Sequence, residues 1–239
     1  VGIFLSGGID SGLITAFASR ETSKKIQTFT VKSSDPNFDE SKLAKKVSDL
    51  YSTEHYELRI NPDLRNLIPK IALSLDEPFA DASIIPSFAI SEEASKHVKV
   101  VLNGEGSDEL FGGYRRHQGF KFLIDFEKYF NFIPKNFWSK IHGILPKPIG
   151  HRTKYSFFYR LLKGFNANTY LRYILFSSDG FNEYEKNKYL KISSETSTQD
   201  YLEKKFADYN SDDPLSVFFG LDILFGLSNG LLFKIDMTT

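Results

Sequence analysis

Four short apolar runs, VGIFL at 1–5, IQTFTVKS at 26–33, TEHYELRI at 53–60 and VKVVLN at 98–103, alternate with segments whose apolar residues recur at helical spacing. Strands separated by helices cannot pair as tight hairpins. They form a parallel sheet whose crossover helices cover both faces. After Asp10 the residues Leu13, Ile14, Phe17 and Ala18 mark a first helix, closed by the polar run 20–25. Leu43, Val47 and Leu50 mark a second, with Asp39 placed to cap its start. Asn61–Pro62 reads as a cap and first-turn proline for a third, with Leu64, Leu67, Ile68 and Ile71 turned inward. A fourth helix is expected near Ser87–Lys96. The run Val98–Leu102 is apolar enough for burial on both sides. The fold class expected for the first half is α/β, a doubly wound parallel sheet.

The texture changes near His117. Of the 23 Phe and 12 Tyr, 16 and 9 lie in 117–239, in runs such as FKFLIDFEKYFNF and YSFFYRLLKGF that have helical spacing and no strand alternation. A mostly helical second lobe is therefore expected, with an α/β core over 1–117 and an aromatic-rich lobe over 118–239. Gly143, Pro146, Pro148 and Gly150 mark a break between its helices. The lobe's aromatic residues read as a packed core rather than a ligand stack. The stretch 215–233 approaches membrane length, but Asp222, Ser228, Asn229 and three glycines interrupt it, so it reads as core helix and loop with no membrane partner.

Composition narrows the function. With 30 basic and 30 acidic residues the net charge is zero, and the basic excess that accompanies nucleic-acid binding is missing. The chain has no cysteine, which excludes disulfides, thiolate metal sites and cysteine nucleophiles and suits a cytoplasmic setting. It starts at Val1, already inside an apolar run, as a segment of a longer protein would.

Two glycine-rich loops follow two of the strands: SGGIDSG at 6–12 and NGEGSDE at 103–109. Ligands of doubly wound sheets lie at the carboxyl ends of the strands where the winding reverses, so adjacent first and fourth strands would bring both loops to one crevice. The first loop offers small residues, hydroxyls and amides ahead of a helix N-terminus, a combination suited to an anion. Its spacing matches neither the Walker A nor the dinucleotide-binding fingerprint. From these residues alone, a strand-to-helix corner capped by Asp10 is the alternative. The second loop adds Glu105, Asp108 and Glu109, for which a solvated charge cluster is the alternative. Together the loops suggest a polyphosphate held through Mg²⁺, which takes few protein ligands and keeps oxygen ligands of phosphate and water. Asp10 and Asp108 are the expected metal ligands.

The motif S-G-G-x-D-S resembles the pyrophosphate (PP) loop of the N-type ATP pyrophosphatases. LNGEGSDELFGGY at 102–114 is similar to the asparagine synthetase family within them. TFTVKSSDPNFDES at 28–41, LDEPFADASIIP at 75–86 and DILFGLSNGLLFKID at 222–236 resemble further segments of that family. The likeness is specific over 1–117, faint over 118–214 and weaker again over 215–239. It implies an adenine nucleotide alpha hydrolase-like sheet, ATP and Mg²⁺. It also implies a ligase that adenylates a carboxylate, aspartate foremost, releases AMP and pyrophosphate, and transfers ammonia to give asparagine. By the same resemblance Leu5, Ser6, Gly7, Gly8, Asp10, Ser11 and Gly104 hold the phosphates, Thr30 and Val31 lie near the base, and Glu105 and Asp108 are catalytic. Ammonia would come from an N-terminal glutaminase domain with a cysteine nucleophile, which this chain does not carry. A homodimer is compatible with the family.

Three departures stand out. Gly12 replaces a second serine of the motif, Met237 follows Asp236 where the family usually has arginine, and the family places arginine- and lysine-bearing segments beyond Thr239, so the second lobe is expected to be truncated. Gly12 and Met237 leave two other readings open, a relative acting on another carboxylate (a sugar acid or a β-lactam precursor) and a nucleotide-binding module without turnover. None of the five histidines has metal-ligand spacing, and His55 is expected on the surface of the third strand. Arg115 and Arg116 follow the second loop and would either reach phosphate or sit as ordinary surface cations.

Overall fold

A computed structural model of the chain describes residues 1–239 apart from 34–38, 60–62, 76, 131, 147, 149–152, 166, 178–182, 191–195 and 210. Two compact units divide it, Val1–Ser107 with Gly230–Thr239, and Asp108–Asn229.

The first unit is the expected α/β sandwich. In chain order it runs β1 (Gly2–Phe4), α1 (Ile9–Glu21), β2 (Gln27–Val31), α2 (Ser41–Leu50), β3 (Glu54–Leu58), α3 (Leu64–Ser74), α4 (Ile84–Ala94) and β4 (Val101–Leu102). The four strands are parallel in the order β3-β2-β1-β4. β1 thus has β2 on one side and β4 on the other, and the winding reverses between β1 and β4, as the two-loop argument requires. β2 shows why these residues make a central strand. Phe29 is fully buried on one face, stacked on Tyr56 at 5.2 Å, while Thr28 and Thr30 are buried on the other. The threonine hydroxyls are satisfied there: Thr28 Oγ1 lies 2.9 Å from both Thr53 Oγ1 and His55 Nδ1.

Several expectations need correction. The stripe of α1 does not face the sheet, since Leu13 and Phe17 are exposed while Ser11, Thr15 and Ala16 are buried. In α2 likewise Leu43 and Leu50 are exposed and Ser41, Ala44 and Ser48 are buried. At α2 close approach accounts for this: a Cβ on Gly7 would lie 2.6 Å from the Ala44 nitrogen, so the loop sits directly against the start of that helix. β4 is an edge strand rather than a doubly buried one, with Leu102 41% exposed. Asn61–Pro62 falls outside the described residues, and α3 is capped by Asp63, whose carboxylate accepts from the Arg65 amide at 3.1 Å. Leu67 and Ile71 of that helix are buried as expected, whereas Leu64 and Ile68 are exposed. Asp39 accepts from the Ser41 amide at 3.2 Å, one residue ahead of the cap position. His55 is half-buried against Thr28 rather than on the surface, and burial, with Lys45 nearby, lowers its pKa.

The second unit is helical: α5 (Ser107–Phe111, from the last residue of the first unit), α6 (Arg115–Phe130), α7 (Lys135–Ile144), α8 (Lys154–Gly164), α9 (Thr169–Ser177), α10 (Glu183–Tyr189), α11 (Thr198–Lys205) and α12 (Pro214–Leu221). The aromatic residues build two cores. One gathers Phe120, Tyr173, Phe206, Phe218 and Leu221; the other gathers Leu123, Leu161, Leu162 and Phe165, with Trp138 stacked on Phe165 at 4.5 Å. Buried Arg172 ties α6, α8 and α9 together by donating to the Gly164 carbonyl at 2.8 Å and pairing with Glu127. After α12 the chain stays helical instead of looping. Asp222–Leu232 takes the wider π-helical winding, and α13 (Phe233–Thr238) returns to the first unit. The run Pro214–Thr238 is long and apolar enough to cross a membrane by length and composition alone, although its Asp222 and Lys234 are buried and hydrogen-bonded to polar partners.

Gly12 sits inside α1 with nothing within 4 Å of where a Cβ would stand. Gly12→Ala is therefore expected to stabilise the protein by about 0.5–1 kcal/mol through helix propensity. Urea unfolding checks this, and a loss of stability would show that this part of the loop is more crowded than its geometry indicates.

Candidate active site

The first loop bends at Gly7, which adopts φ +81°, a left-handed conformation that suits glycine. α1 then begins at Ile9 with Gly8 at the cap position, and no side chain caps it. The first-turn amides of α1 therefore keep the anion-binding character of an uncapped helix start. Ser6 and Ser11 tie the loop internally: the Ser6 amide donates to Ser11 Oγ at 3.2 Å, the Gly8 amide to Ser6 Oγ at 3.2 Å, and the two hydroxyls lie 3.0 Å apart. These hydroxyls and amides have loop partners that a phosphate would have to displace. Asp10 is half-buried in the first turn.

The second loop meets the first through Gly104. A Cβ there would lie 3.1 Å from Asp10 Cβ and 3.2 Å from the Ser11 nitrogen. Gly106, at φ +92°, turns the chain again. Between these glycines Glu105 is about one-third exposed, at 36%, and its carboxylate accepts from Lys234 Nζ at 3.3 Å. Lys234 is buried to 3% exposure and also donates to Ser83 Oγ at 3.2 Å. Ser83 hydrogen-bonds Asp81, 2.7 Å from the Ser83 hydroxyl. Phe233, next to Lys234, packs on Phe79 at 5.6 Å, which anchors α13 beside the segment holding Asp81 and Ser83. Sequence reasoning missed Lys234 and Ser83. The faint signal was a lone lysine after the apolar run 230–233, where burial demands a partner.

The other expected residues are placed as follows. Leu5 is core, 1% exposed, and its amide donates to Phe29 O at 2.9 Å. The buried Thr30 hydroxyl donates to the Leu5 carbonyl, and Val31 closes β2. Thr30 thus uses its side chain to pin the carboxyl ends of β1 and β2 together.

In the second unit Asp108 lies in the first turn of α5, and its carboxylate lies over Gly113: a Cβ on Gly113 would stand 1.8 Å from Asp108 Oδ1. The spacing S-D-E-L-F-G-G is thereby accounted for, with a bare glycine where the aspartate folds back. Neighbouring Glu109 is buried, accepts from the Tyr114 hydroxyl at 2.6 Å, and has Arg116 at 3.9 Å. Burial, reinforced by the bond to Glu109, pushes the Tyr114 phenol up. Arg116 grips Asp222 through two nitrogens, with Nη2 2.9 Å from each carboxylate oxygen, and His117 Nε2 lies 2.6 Å from Asp222 Oδ2. Arg116 is neither a free phosphate ligand nor a bare surface cation, because its charge is matched by Asp222. Glu109 Oε2 and His117 Nδ1 are buried without a hydrogen-bond partner among the described residues.

Among the described residues no three His, Asp or Glu side chains gather into a group able to hold a metal. A cation here would depend on few carboxylates together with oxygens from elsewhere, which is how Mg²⁺ sits with phosphate substrates.

Comparison with known proteins gives a consistent picture. The family model described as asparagine synthase matches residues 1–236. A glutamine-hydrolysing asparagine synthetase of Bacillus subtilis (strain 168) is 33% identical over 242 residues, taking in 100% of this chain and 37% of the relative. A chain from Mycobacterium bovis is 45% identical over 115 residues, 48% of this chain and 18% of its own length. A glutamine-hydrolysing asparagine synthetase of Zea mays is 36% identical over 129 residues, 47% of this chain and 21% of its own. The chain therefore spans little more than a third of these relatives at most.

The cluster around Asp222 makes a direct prediction. Burial raises the Asp222 pKa, but bonds from His117 and Arg116 outweigh it and hold the carboxyl below its ordinary 3.8. A depressed folded pKa adds stability that is present above the unfolded value and is lost as pH falls through the folded one. The second unit should therefore lose near-ultraviolet circular dichroism below about pH 4. Asp222→Asn should cost about 3–5 kcal/mol at neutral pH, as expected on removing one partner of a buried pair, and should blunt the acid transition. A variant with wild-type stability and an unchanged acid limb would contradict this.

Proposed function

The chain belongs to the asparagine synthase family, and from that premise we propose that it carries the ATP-dependent, amide-forming half of a glutamine-hydrolysing synthetase. The observation that carries this reading is the contact of Gly104 with Asp10 and Ser11, which joins the phosphate-type loop to the loop of Glu105 at the carboxyl ends of β1 and β4. The proposed substrate is aspartate. Its β-carboxylate attacks the α-phosphorus of ATP, the bond to pyrophosphate breaks, and ammonia then displaces AMP from the acyl carbon to give asparagine. Ammonia would come from a glutaminase domain elsewhere in the full-length protein, and the reaction suits a soluble, cytoplasmic enzyme. The helix Pro214–Thr238 is read as core, because Asp222 and Lys234 would be costly in lipid.

The residues have separable roles in this reading. Residues 6–11, with Leu5 and Gly104 behind them, cradle the pyrophosphate, and Thr30–Val31 border the base. Asp10 and Asp108 are the carboxylates that would hold Mg²⁺, which when bound supplies positive charge to the polyphosphate. Phosphoryl chemistry of this kind is mainly positioning and charge neutralisation. Glu105 takes the proton from attacking ammonia. Lys234 fixes the Glu105 carboxylate through the 3.3 Å contact and keeps a positive charge beside it.

ATP–pyrophosphate exchange and amide formation, measured in parallel on the full-length protein with ammonia supplied directly, test these roles. Glu105→Gln should retain exchange but lose amide by about 10²–10⁴-fold. Asp10→Asn should depress exchange itself. Lys234→Met should lower amide formation alongside Glu105→Gln, since Glu105 then loses its only described cationic partner. Wild-type amide rates in Glu105→Gln would remove the acid–base role. Exchange with another acid but not with aspartate would reassign the substrate, and no exchange with any acid would favour a nucleotide-binding module.

A further inference from the structure

Residues 128–178 contain nine Lys or Arg and no Asp or Glu, although the chain as a whole has 30 acidic residues among 239. A net charge of zero conceals this segregation. The stretch takes in α7, α8 and α9 of the second unit. Buried Arg172 is matched by Glu127, from just ahead of the stretch. Several of the lysines are placed differently.

Two faces of α7 differ in what they meet. Trp138, Ile141 and Leu145 pack into the core around Leu161 and Phe165. Phe137, Lys140 and Ile144, spaced i, i+3 and i+7, form an outer face, with Phe137 half in solvent and Ile144 83% exposed. α8 lies alongside: the Tyr155 hydroxyl donates to the Pro146 carbonyl just past α7, and Tyr159 packs on His142 at 4.4 Å. It adds Lys154 and Phe158, both exposed and one turn apart, and exposed Lys163 over the Tyr159 ring at 5.8 Å. Lys140, Lys154 and Lys163 have no carboxylate partner among the described residues.

An outer face that mixes large apolar side chains with lysines and excludes acids suits the boundary of an anionic bilayer. The apolar groups enter the headgroup layer, while lysine stems lie along it and their ammonium groups reach lipid phosphates. Nucleic acid is the poorer match, because bases stack on rings and gain nothing from an aliphatic side chain as exposed as Ile144. We propose that the α7–α8 pair is a docking surface for an anionic phospholipid membrane. Phe137, Ile144 and Phe158 enter its headgroup layer, and Lys140, Lys154 and Lys163 sit on its phosphates. Docking of this kind is peripheral and needs no helix across the bilayer. It is independent of the amide-forming reading, because every residue named lies in the helical unit.

Sedimentation of the full-length protein with sucrose-loaded vesicles tests this. Vesicles of two parts phosphatidylcholine to one part phosphatidylglycerol are compared with phosphatidylcholine alone. The anionic vesicles should bind at least about tenfold more tightly, and binding should weaken as salt is raised and screens the lysines. A lysine near an anionic surface is worth about fivefold in partitioning, so Lys140→Glu combined with Lys154→Glu should weaken binding by about tenfold or more. Ile144→Ser should weaken it by about threefold or more and leave the salt dependence in place. All three side chains are exposed, and circular dichroism confirms folding. Should the double variant fail to fold, Lys140→Gln and Ile144→Ser decide. Failure of the full-length protein to bind anionic vesicles, equal binding to neutral ones, or binding unchanged in the folded variants would each overturn the proposal. A DNA duplex or polyglutamate bound as tightly as the vesicles would also overturn it, assigning the face to a polyanion other than lipid.

Discussion

The first unit depends on one arrangement, the parallel pairing of β1 between β2 and β4. It forces the loops after β1 and β4 to leave the same end of the sheet, and the missing Cβ of Gly104 lets them touch. A side chain there would crowd the Asp10 Cβ and the Ser11 backbone, so the glycine favours this close approach. Thr30 reinforces the same end by bonding its hydroxyl to the Leu5 carbonyl.

Closeness of this kind accompanies the unusual interior around α1 and α2. Serine, threonine and alanine face the sheet, while leucine and phenylalanine face outward. Small hydroxyl residues fit where Gly7 brings the loop onto α2, and they satisfy one another, as in the chain from Ser48 through Thr53 to Thr28. The helical unit solves the opposite problem. Large aromatic residues fill it, and buried charges are kept in matched sets, Arg172 with Glu127 and Arg116 with Asp222. Breaking such a set strands a charge away from water, which is why each carries more structural weight than a surface pair.

Lys234 links sequence ends that no local pattern connects. It lies 129 positions from Glu105, yet burial leaves it few options besides that carboxylate and the Ser83 hydroxyl. The π-helical winding of Asp222–Leu232 comes directly before it and changes the phase of the side chains that follow relative to a regular helix. Segments of wider winding often mark functional positions, and this one separates two buried charged residues, Asp222 and Lys234.

The sheet and the two glycine loops at its carboxyl end were legible from the residues alone, because strand–helix alternation and clustered glycines are local signals that packing rarely overrides. So was a helical, aromatic second half. Which face of each helix is buried depended on packing between distant segments. Periodicity in α1 pointed to Leu13 and Phe17, but the buried residues are Ser11, Thr15 and Ala16. Apolar content could not mark β4 as an edge, since that follows from strand order. The partners of Glu105, Glu109 and Asp222 were illegible for a simple reason: a buried charge needs an opposite charge or a donor, but the chain that supplies it comes from a distant segment. Lys234, Tyr114, Arg116 and His117 fill those roles because the fold carries them there.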